Sequence, residues 1–140
     1  MAKLFGERLI EAQDAFGQLC VGIDPHSSLL QSWGLADDVS GLRQFSLNVV
    51  EACASRVSLI KPQVSFFERF GAPGYEVLSE VTQLANNFGL IVVADAKRGD
   101  IGTTMDAYLE AWFGSKSGLY ADALTVSPYL GLGAISEGFD

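Results

Sequence analysis

The sequence predicts an α/β fold in which four parallel strands alternate with helices, as in the first half of a (β/α)8 TIM barrel. Short apolar runs alternate with longer stretches whose apolar residues recur at helical spacing. The residues that close the runs, Asp24, Lys61, Asp95 and Ser127, are 37, 34 and 32 residues apart, about one βα unit each. Three of them are charged. Because barrel enzymes carry their chemistry at the carboxyl ends of the strands, the barrel is favoured over a small open doubly wound sheet.

The first predicted elements are a helix and a strand. Apolar residues at helical spacing extend from Leu4 to Phe16, and Gly17 closes the helix. The continuous apolar run 19–23 predicts a strand that is buried on both faces, as in a parallel sheet, with Cys20 as a buried thiol. An open nucleotide-binding sheet usually has a glycine-rich turn after this strand. Here Asp24-Pro25-His26 follows instead, which again favours the barrel.

The remaining elements continue this alternation. Helices are predicted over about residues 42–53, 75–84 and 103–113, and strands over 57–60, 90–94 and 123–126. The segment 64–74 is predicted to be a loop with an aromatic cluster, and the residues after the fourth strand show no sign of a further helix.

Length and composition indicate one soluble, acidic domain (1–140). Of the 140 residues, 49% are hydrophobic, which is enough for a real core. The net charge of −8 argues against nucleic acid or an anionic membrane surface as the partner, and no apolar run approaches the ~18 residues of a membrane span. Cys20 and Cys53 lie outside any CxxC pair, so we expect free thiols and a cytoplasmic protein. Since a full barrel takes ~200 residues or more, we expect these residues to be part of a longer chain.

The densest group of charged residues is the segment Asp95-Ala96-Lys97-Arg98-Gly99-Asp100. Asp95 and Lys97 are two residues apart, so in an extended strand both side chains point to the same side. Asp100 follows a glycine turn at the start of the next helix. A pair of unit charges at ~4 Å is worth about 4 kcal/mol at an effective dielectric near 20, which favours the protonated form of Lys97. A protonated lysine held by carboxylates is a proton donor, or a cation placed to stabilise a developing carbanion.

A purely structural interpretation of this segment is also open. In that interpretation Asp100 caps the helix and Lys97 is a surface salt-bridge partner. Asp24 and Lys61 favour an active site, because with Asp95 and Lys97 they place four charged residues at the same end of three parallel strands.

The motif Asp95-x-Lys97-x-x-Asp100-Ile101-Gly102-x-Thr104 resembles the signature of the orotidine 5′-phosphate decarboxylases. The surrounding sequence, 92–104 and 124–131, is similar to the longer, actinobacterial-type branch of that family. Val21-Gly22-Ile23-Asp24-Pro25 and Ile60-Lys61-Pro62-Gln63 occur in the family's order, so the resemblance covers essentially the whole chain, as the N-terminal half of the family's barrel. A lone DxKxxD is shared with related sugar-phosphate enzymes, whereas the combination with these segments is specific.

The resemblance implies a lyase that decarboxylates orotidine 5′-monophosphate to UMP, in de novo pyrimidine biosynthesis, with no metal or other cofactor. Lys97 would protonate C6 of the pyrimidine as the carboxylate leaves. Asp95 would lie near the departing carboxylate and, with Lys61, hold Lys97 in place. Magnesium-using relatives place a carboxylate at the end of the second strand, where the ammonium of Lys61 would here repel the ion.

The resemblance also implies how the nucleotide is bound. Asp24 and Lys61 would bind the ribose hydroxyls. Asp100 and Thr104 would reach into the site of a neighbouring subunit, so the expected partner is a second copy in a homodimer with shared active sites. The family's phosphate-binding loop and lid belong to later strands, so we expect little or no activity from these 140 residues alone.

Two other functions stay open on the sequence. A Schiff-base aldolase would use Lys97 or Lys61 as a neutral amine, which the neighbouring Asp95 and Asp100 disfavour. A non-catalytic half-barrel would dimerise through its open sheet edges, and it predicts concentration-dependent association without nucleotide binding.

Overall fold

The structure, a computed structural model, describes residues 3–139 of the chain. Strands and helices alternate in the predicted order. The elements are α1 (Phe5–Phe16), β1 (Cys20–Ile23), α2 (Ser27–Ser32), α3 (Val39–Cys53), β2 (Leu59–Pro62), α4 (Ser65–Glu68), α5 (Ala72–Asn87), β3 (Ile91–Arg98), α6 (Gly102–Phe113), β4 (Ala123–Val126) and a 3₁₀ helix (Leu132–Phe139). None of the helices in the described residues combines the length and apolar character that a membrane crossing needs.

The four strands form one parallel sheet in the order β1-β2-β3-β4. The register pairs Val21 with Ile60, Ile60 with Val92, and Ala94 with Leu124. Each strand therefore lies beside the next one in the sequence. A doubly wound sheet reverses its strand order at a switch point, whereas a barrel keeps consecutive strands adjacent. The topology thus matches the predicted barrel half.

The hydrophobic core lies between one face of this sheet and the helices α3 and α5. The strands contribute Ile23, Ile60 and Val92, which are fully buried. The helices contribute residues that recur at helical spacing and are also fully buried: Leu42, Val50, Val77, Leu78, Val81 and Ala85. Burial of each aliphatic side chain of this size contributes about 1.5–3 kcal/mol, so this layer is the main source of stability.

The other face of β1 is open to solvent. Cys20 and Gly22, which alternate onto that face, are exposed, whereas Ile23 faces the helices and is buried. The predictions of a strand buried on both faces and of a buried Cys20 are therefore wrong. Their physical cause is that the four strands of the described residues form an open sheet, whose second face is the one that turns inward in a barrel. Cys53 in α3 is buried, as expected.

Three short helices lie where the sequence predicted loops or nothing regular. α2 begins after His26, whose side chain caps it by accepting a hydrogen bond from the backbone N–H of Leu29 at 3.2 Å. α4 lies inside the predicted aromatic loop, and it forms because Phe67 is fully buried in the core. The 3₁₀ helix follows β4, where no helix is predicted from the sequence. Helices of four to eight residues are too short for a clear periodic signal, so sequence patterns miss them.

Helix α1 packs across the amino ends of the strands. Arg8 of α1 forms an ion pair with Asp122, which directly precedes β4, at 2.5 Å. The same carboxylate accepts a hydrogen bond from the backbone N–H of Val92 in β3 at 2.8 Å. Ser58, before β2, donates to the carbonyl of Ala12 at 2.9 Å. These contacts leave the carboxyl ends of the strands free of α1.

The carboxyl end of β3 is fixed to α4 and α5 by a partly buried polar network. Arg98 donates to Glu68 of α4 and, at 3.3 Å, to the hydroxyl of Tyr75 of α5, which itself donates to Glu68 at 2.7 Å. Its guanidinium also lies 5.6 Å from the ring centre of Tyr108. Burial raises the pKa of Glu68, but its hydrogen bonds from Arg98 and Tyr75 outweigh this and lower the pKa below its ordinary value. Arg98 is therefore an internal anchor.

Candidate active site

The carboxyl ends of β1, β2 and β3 bring Asp24, Lys61 and Asp95 to one edge of the open face. Lys61 lies beside Gly22 in the β1–β2 register, and the bridge between Gln63 and Asp95 continues the pairing of β2 with β3. Parallel strands end at the same edge of a sheet, so residues that close successive strands converge there. Lys61 and Asp95 meet there, and the register places Asp24 at the same edge.

Asp95 is the centre of the site. Its side chain is 12% exposed, and it forms ion pairs with two lysines. Lys61 Nζ lies 3.0 Å from Oδ2, and Lys97 Nζ lies 2.6 Å from Oδ1. Lys97 is the more accessible partner, with 58% of its side chain exposed against 33% for Lys61. One carboxylate thus holds two ammonium groups, and one of them projects toward solvent where a ligand could meet it.

Lys97 reaches Asp95 through an irregular backbone. The sequence predicted that an extended strand would place both side chains on one side. In the structure Lys97 has a φ of 51°, in the left-handed region, and the β3–β4 register shifts between Ala94 and Arg98. A non-glycine residue in this region costs about 1–2 kcal/mol and persists only where the surroundings determine it. The pair predicted from spacing therefore forms, but through a bulge that the spacing does not reveal.

Two uncharged residues of the site were not predicted from the sequence. Gln63 receives a hydrogen bond from Lys97 Nζ at 3.4 Å and donates one to the backbone carbonyl of Asp95 at 3.2 Å. Thr125 contacts both Asp95 and the backbone of Lys97. The available signals were weak: Gln63 follows Lys61 by two residues, and Thr125 is the polar residue of the apolar run 123–126.

The pKa of Asp95 is strongly displaced. Burial acts to raise it, but hydrogen bonds from Lys97, Lys61 and Thr125 and the charge of Lys61 outweigh burial and lower the pKa from 3.8 to about 2. The carboxylate therefore stays ionised through the whole physiological pH range. It can keep both lysines in place, and it cannot serve as an acid.

Asp95 is expected to make the fold sensitive to acid. Because its pKa falls from 3.8 to about 2 on folding, the ionised form stabilises the fold fully above about pH 4, and this stabilisation is lost as the pH falls through 2. Its size is at most about 2 kcal/mol, and solvent at the open face reduces it. Urea unfolding should show that the difference in free energy of unfolding between the parent chain and Asp95→Asn shrinks between pH 4 and pH 2.

The exposed Asp106 of α6 provides the matched control for this titration. The same difference in free energy of unfolding, measured for Asp106→Asn, shows how the effect of removing any exposed carboxylate depends on pH. If the difference in free energy of unfolding for Asp95→Asn were independent of pH over this range, the lowered pKa of Asp95 in the folded chain would be contradicted.

Asp24 lies at the end of β1 with its carboxylate folded back over Gly22. Its Oδ2 is 2.8 Å from the position that a Cβ on Gly22 would occupy, so a side chain at residue 22 would displace it. Since Gly22 is the register partner of Lys61, the carboxylate stands on the same side of the sheet as the lysine. Within the described residues Asp24 has no ion-pair partner, which leaves its carboxylate available to a ligand.

Within the described residues, Asp100 and Thr104 form no hydrogen bond or ion pair with the two lysines. Asp100 accepts a hydrogen bond from the backbone N–H of Ile101 at 2.8 Å, and no ion pair joins it to Lys97 within residues 3–139. Thr104 is exposed on α6. The segments that follow β3 and β4 carry apolar side chains with large exposed fractions: Ile101 (60%), Tyr129 (94%), Leu130 (53%) and Leu132 (67%). The structure therefore pairs Lys97 with Asp95, and within the described residues it pairs neither lysine with Asp100 or Thr104.

The region after β3 packs closely on the end of β4. A Cβ on Gly99 would lie 2.4 Å from the backbone carbonyl oxygen of Ser127, and Ser127 N–H donates to the carbonyl of Arg98 at 2.7 Å. Only a glycine allows this approach, so the segment that carries Asp100 is fixed against β4. No cluster of three or more His, Cys, Asp or Glu side chains suited to a metal ion occurs among the described residues.

Comparison with known proteins identifies the family of the chain. The sequence profile of the orotidine 5′-phosphate decarboxylase / HUMPS family matches residues 17–139. The chain belongs to this family. The matched range includes all four strands and every residue of the candidate site, so the resemblance carried by the motif from Asp95 to Thr104 is confirmed.

Two curated members of the family show how much of a relative the chain represents. It is 57% identical over 136 residues to the orotidine 5′-phosphate decarboxylase of Streptomyces coelicolor, a match that covers 97% of this chain and 49% of the relative. It is 54% identical over 140 residues to that of Corynebacterium efficiens, covering 100% of this chain and 50% of the relative. The chain spans about half the length of the curated relatives it matches.

Solved structures of the family confirm the fold. A family member from Streptomyces avermitilis, 55% identical, superposes with a TM-score of 0.96 over 98% of this chain and 48% of its own. The UMP synthase of Leishmania donovani, 34% identical, superposes with a TM-score of 0.82 over 99% of this chain and 28% of its own. The open four-stranded sheet is therefore part of the family's barrel.

Proposed function

We propose that this chain supplies the catalytic half of an orotidine 5′-phosphate decarboxylase, which converts orotidine 5′-monophosphate to UMP and CO2. The observation that supports this most directly is the array of Lys61, Asp95 and Lys97 at the carboxyl end of the sheet. It combines a carboxylate that stays ionised with an exposed ammonium group 2.6 Å away. The names of the curated relatives give the same activity.

In the proposed reaction the bond between C6 and the carboxylate carbon breaks and its electron pair stays on C6. The ammonium of Lys97 stabilises that charge and then transfers a proton to C6, and the lysine regains its proton from water. Asp95 fixes the direction of Lys97 and lies beside the leaving carboxylate. A Schiff base would need a neutral amine, whereas both lysines donate to the same ionised carboxylate.

The proposed reaction uses no metal ion. Lys61 occupies the position beside Asp95 where a second carboxylate would be needed to hold Mg2+. An ammonium group 3.0 Å from the carboxylate oxygen already neutralises it and repels a divalent cation. With two ammonium groups and one carboxylate, the group formed by Lys61, Lys97 and Asp95 carries a net positive charge, which disfavours a divalent cation.

For binding, we propose that Asp24 and Lys61 contact the ribose hydroxyls, since both stand on the open face beside Gly22. Asp100 and Thr104 act in the site of a second copy of the chain; this is supported because, within the described residues, Lys97 pairs with Asp95 and Gln63 and with neither of them. The active unit is then a homodimer with shared sites.

The proposed activity can be tested in a fusion of this chain to the part of the Streptomyces coelicolor relative that it does not match, called the completed barrel below. We expect the completed barrel to convert orotidine 5′-monophosphate to UMP with equimolar CO2 release, undiminished by EDTA. The 140-residue chain alone should show little or no turnover. The Streptomyces coelicolor relative, assayed in parallel, is the positive control. A folded completed barrel that binds UMP but releases no CO2 would overturn the proposal.

A further inference from the structure

The hydroxyl of Thr125 links the two central residues of the site. Thr125 lies half-buried in β4, and its Oγ1 is 2.8 Å from Asp95 Oδ1 and 3.0 Å from the backbone nitrogen of Lys97. A threonine hydroxyl has one proton to donate and lone pairs to accept. The backbone N–H can only donate and the ionised carboxylate can only accept, so the direction of both hydrogen bonds is fixed. Thr125 accepts from Lys97 and donates to Asp95.

These bonds close a ring around the bulge in β3. Lys97 has a φ of 51°, so its N–H leaves the regular ladder and needs another acceptor. Thr125 supplies that acceptor. The carboxylate oxygen that receives the Thr125 hydroxyl is the same Oδ1 that receives Lys97 Nζ at 2.6 Å. One side chain therefore fixes the lysine at its backbone and, through Asp95, at its ammonium group.

We propose that Thr125 is a positioning residue, which holds Lys97 in the bulged conformation and turns Asp95 toward its ammonium group. The inference deepens the proposed function and rests on it for the kinetic consequence. The charged groups that face Asp95 are Lys61 from β2 and Lys97 from β3, while Gln63 and Thr125 are neutral. Loss of the Thr125 hydroxyl therefore changes the position of the charges without changing their number.

The test compares Thr125→Val, which keeps the shape and loses the hydroxyl, with Thr125→Ser, which keeps the hydroxyl. In the completed barrel we expect Thr125→Val to lower kcat about 10- to 100-fold, with KM changed less than about threefold, because the misplaced ammonium meets C6 poorly. Thr125→Ser should restore most of the loss. If the hydroxyl only supported packing, its loss would not lower kcat while leaving KM nearly unchanged.

A second readout does not depend on the reaction. In the 140-residue chain, NMR titration of the Asp95 carboxyl carbon should show its pKa raised from about 2 in Thr125→Val, because one of the hydrogen bonds that lower it is gone. Thr125→Ser should keep the low value. If the parent completed barrel is inactive, the proposed function fails and this titration still tests Thr125. Parent-like kcat and an unchanged Asp95 titration in Thr125→Val would overturn the inference.

Discussion

Lys97→Ala in the completed barrel is expected to lower kcat about 10³-fold, the contribution of a well-placed general acid. The substitution removes the ammonium group that meets the developing charge on C6, and it leaves Asp95 paired with Lys61 at 3.0 Å. Because Lys97 is 58% exposed, its removal leaves no cavity in the core, so folding should be preserved. Single-turnover kinetics give the loss of rate, and calorimetric titration with UMP should give a Kd within about tenfold of the parent value.

The control for this substitution is Lys116→Ala. Lys116 is an exposed lysine between α6 and the amino end of β4, at the sheet edge opposite the site, and its removal changes the net charge by the same amount. We expect parent-like kcat in this variant. Turnover of Lys97→Ala within a few-fold of the parent would show that the proton on C6 comes from another group.

Continuous apolar runs predicted the order and type of the strands because they reflect burial, which the fold preserves. The same runs failed at the end of β3. The run predicts a strand over 90–94, whereas β3 extends from Ile91 to Arg98. The extension depends on contacts with β4, such as the hydrogen bond from Ser127 N–H to the carbonyl of Arg98 at 2.7 Å. Contacts between residues so far apart in the sequence do not affect the local pattern of hydrophobic residues.

The charged residues of the site could be predicted for a related reason. Lys61 and Asp95 each close a continuous apolar run, and neighbouring parallel strands place the ends of such runs at one edge, so their convergence follows from topology alone. Gln63 and Thr125 are uncharged, and their roles depend on the register between strands and on the left-handed conformation of Lys97. Arg98 illustrates the opposite case, since arginine side chains are mostly exposed, whereas the hydrogen bonds to Glu68 and Tyr75 hold this one half-buried.

Mixing two inactive variants of the completed barrel, Asp100→Ala and Lys97→Ala, is expected to restore activity. If Asp100 acts in the partner's site, a hybrid dimer has one site with both residues altered and one site with both intact. Random pairing makes half of the dimers hybrid, so recovery should approach about a quarter of the parent activity. The arrangement is supported because, within residues 3–139, the Asp100 carboxylate accepts a hydrogen bond from the Ile101 backbone N–H and pairs with neither lysine. Activity is measured after the two chains exchange subunits.

The matched control pairs Lys97→Ala with Asp95→Asn. Asp95 and Lys97 lie 2.6 Å apart in one chain, so every site of that hybrid carries one alteration and no recovery is expected. The two mixtures differ only in whether the second altered residue acts in the same site as Lys97 of its own chain or in the site of the partner subunit. Recovery in both would point to reversion or contamination. Recovery in neither, with hybrid dimers verified by native mass spectrometry, would place Asp100 in the site of its own subunit and remove the reason for a shared active site.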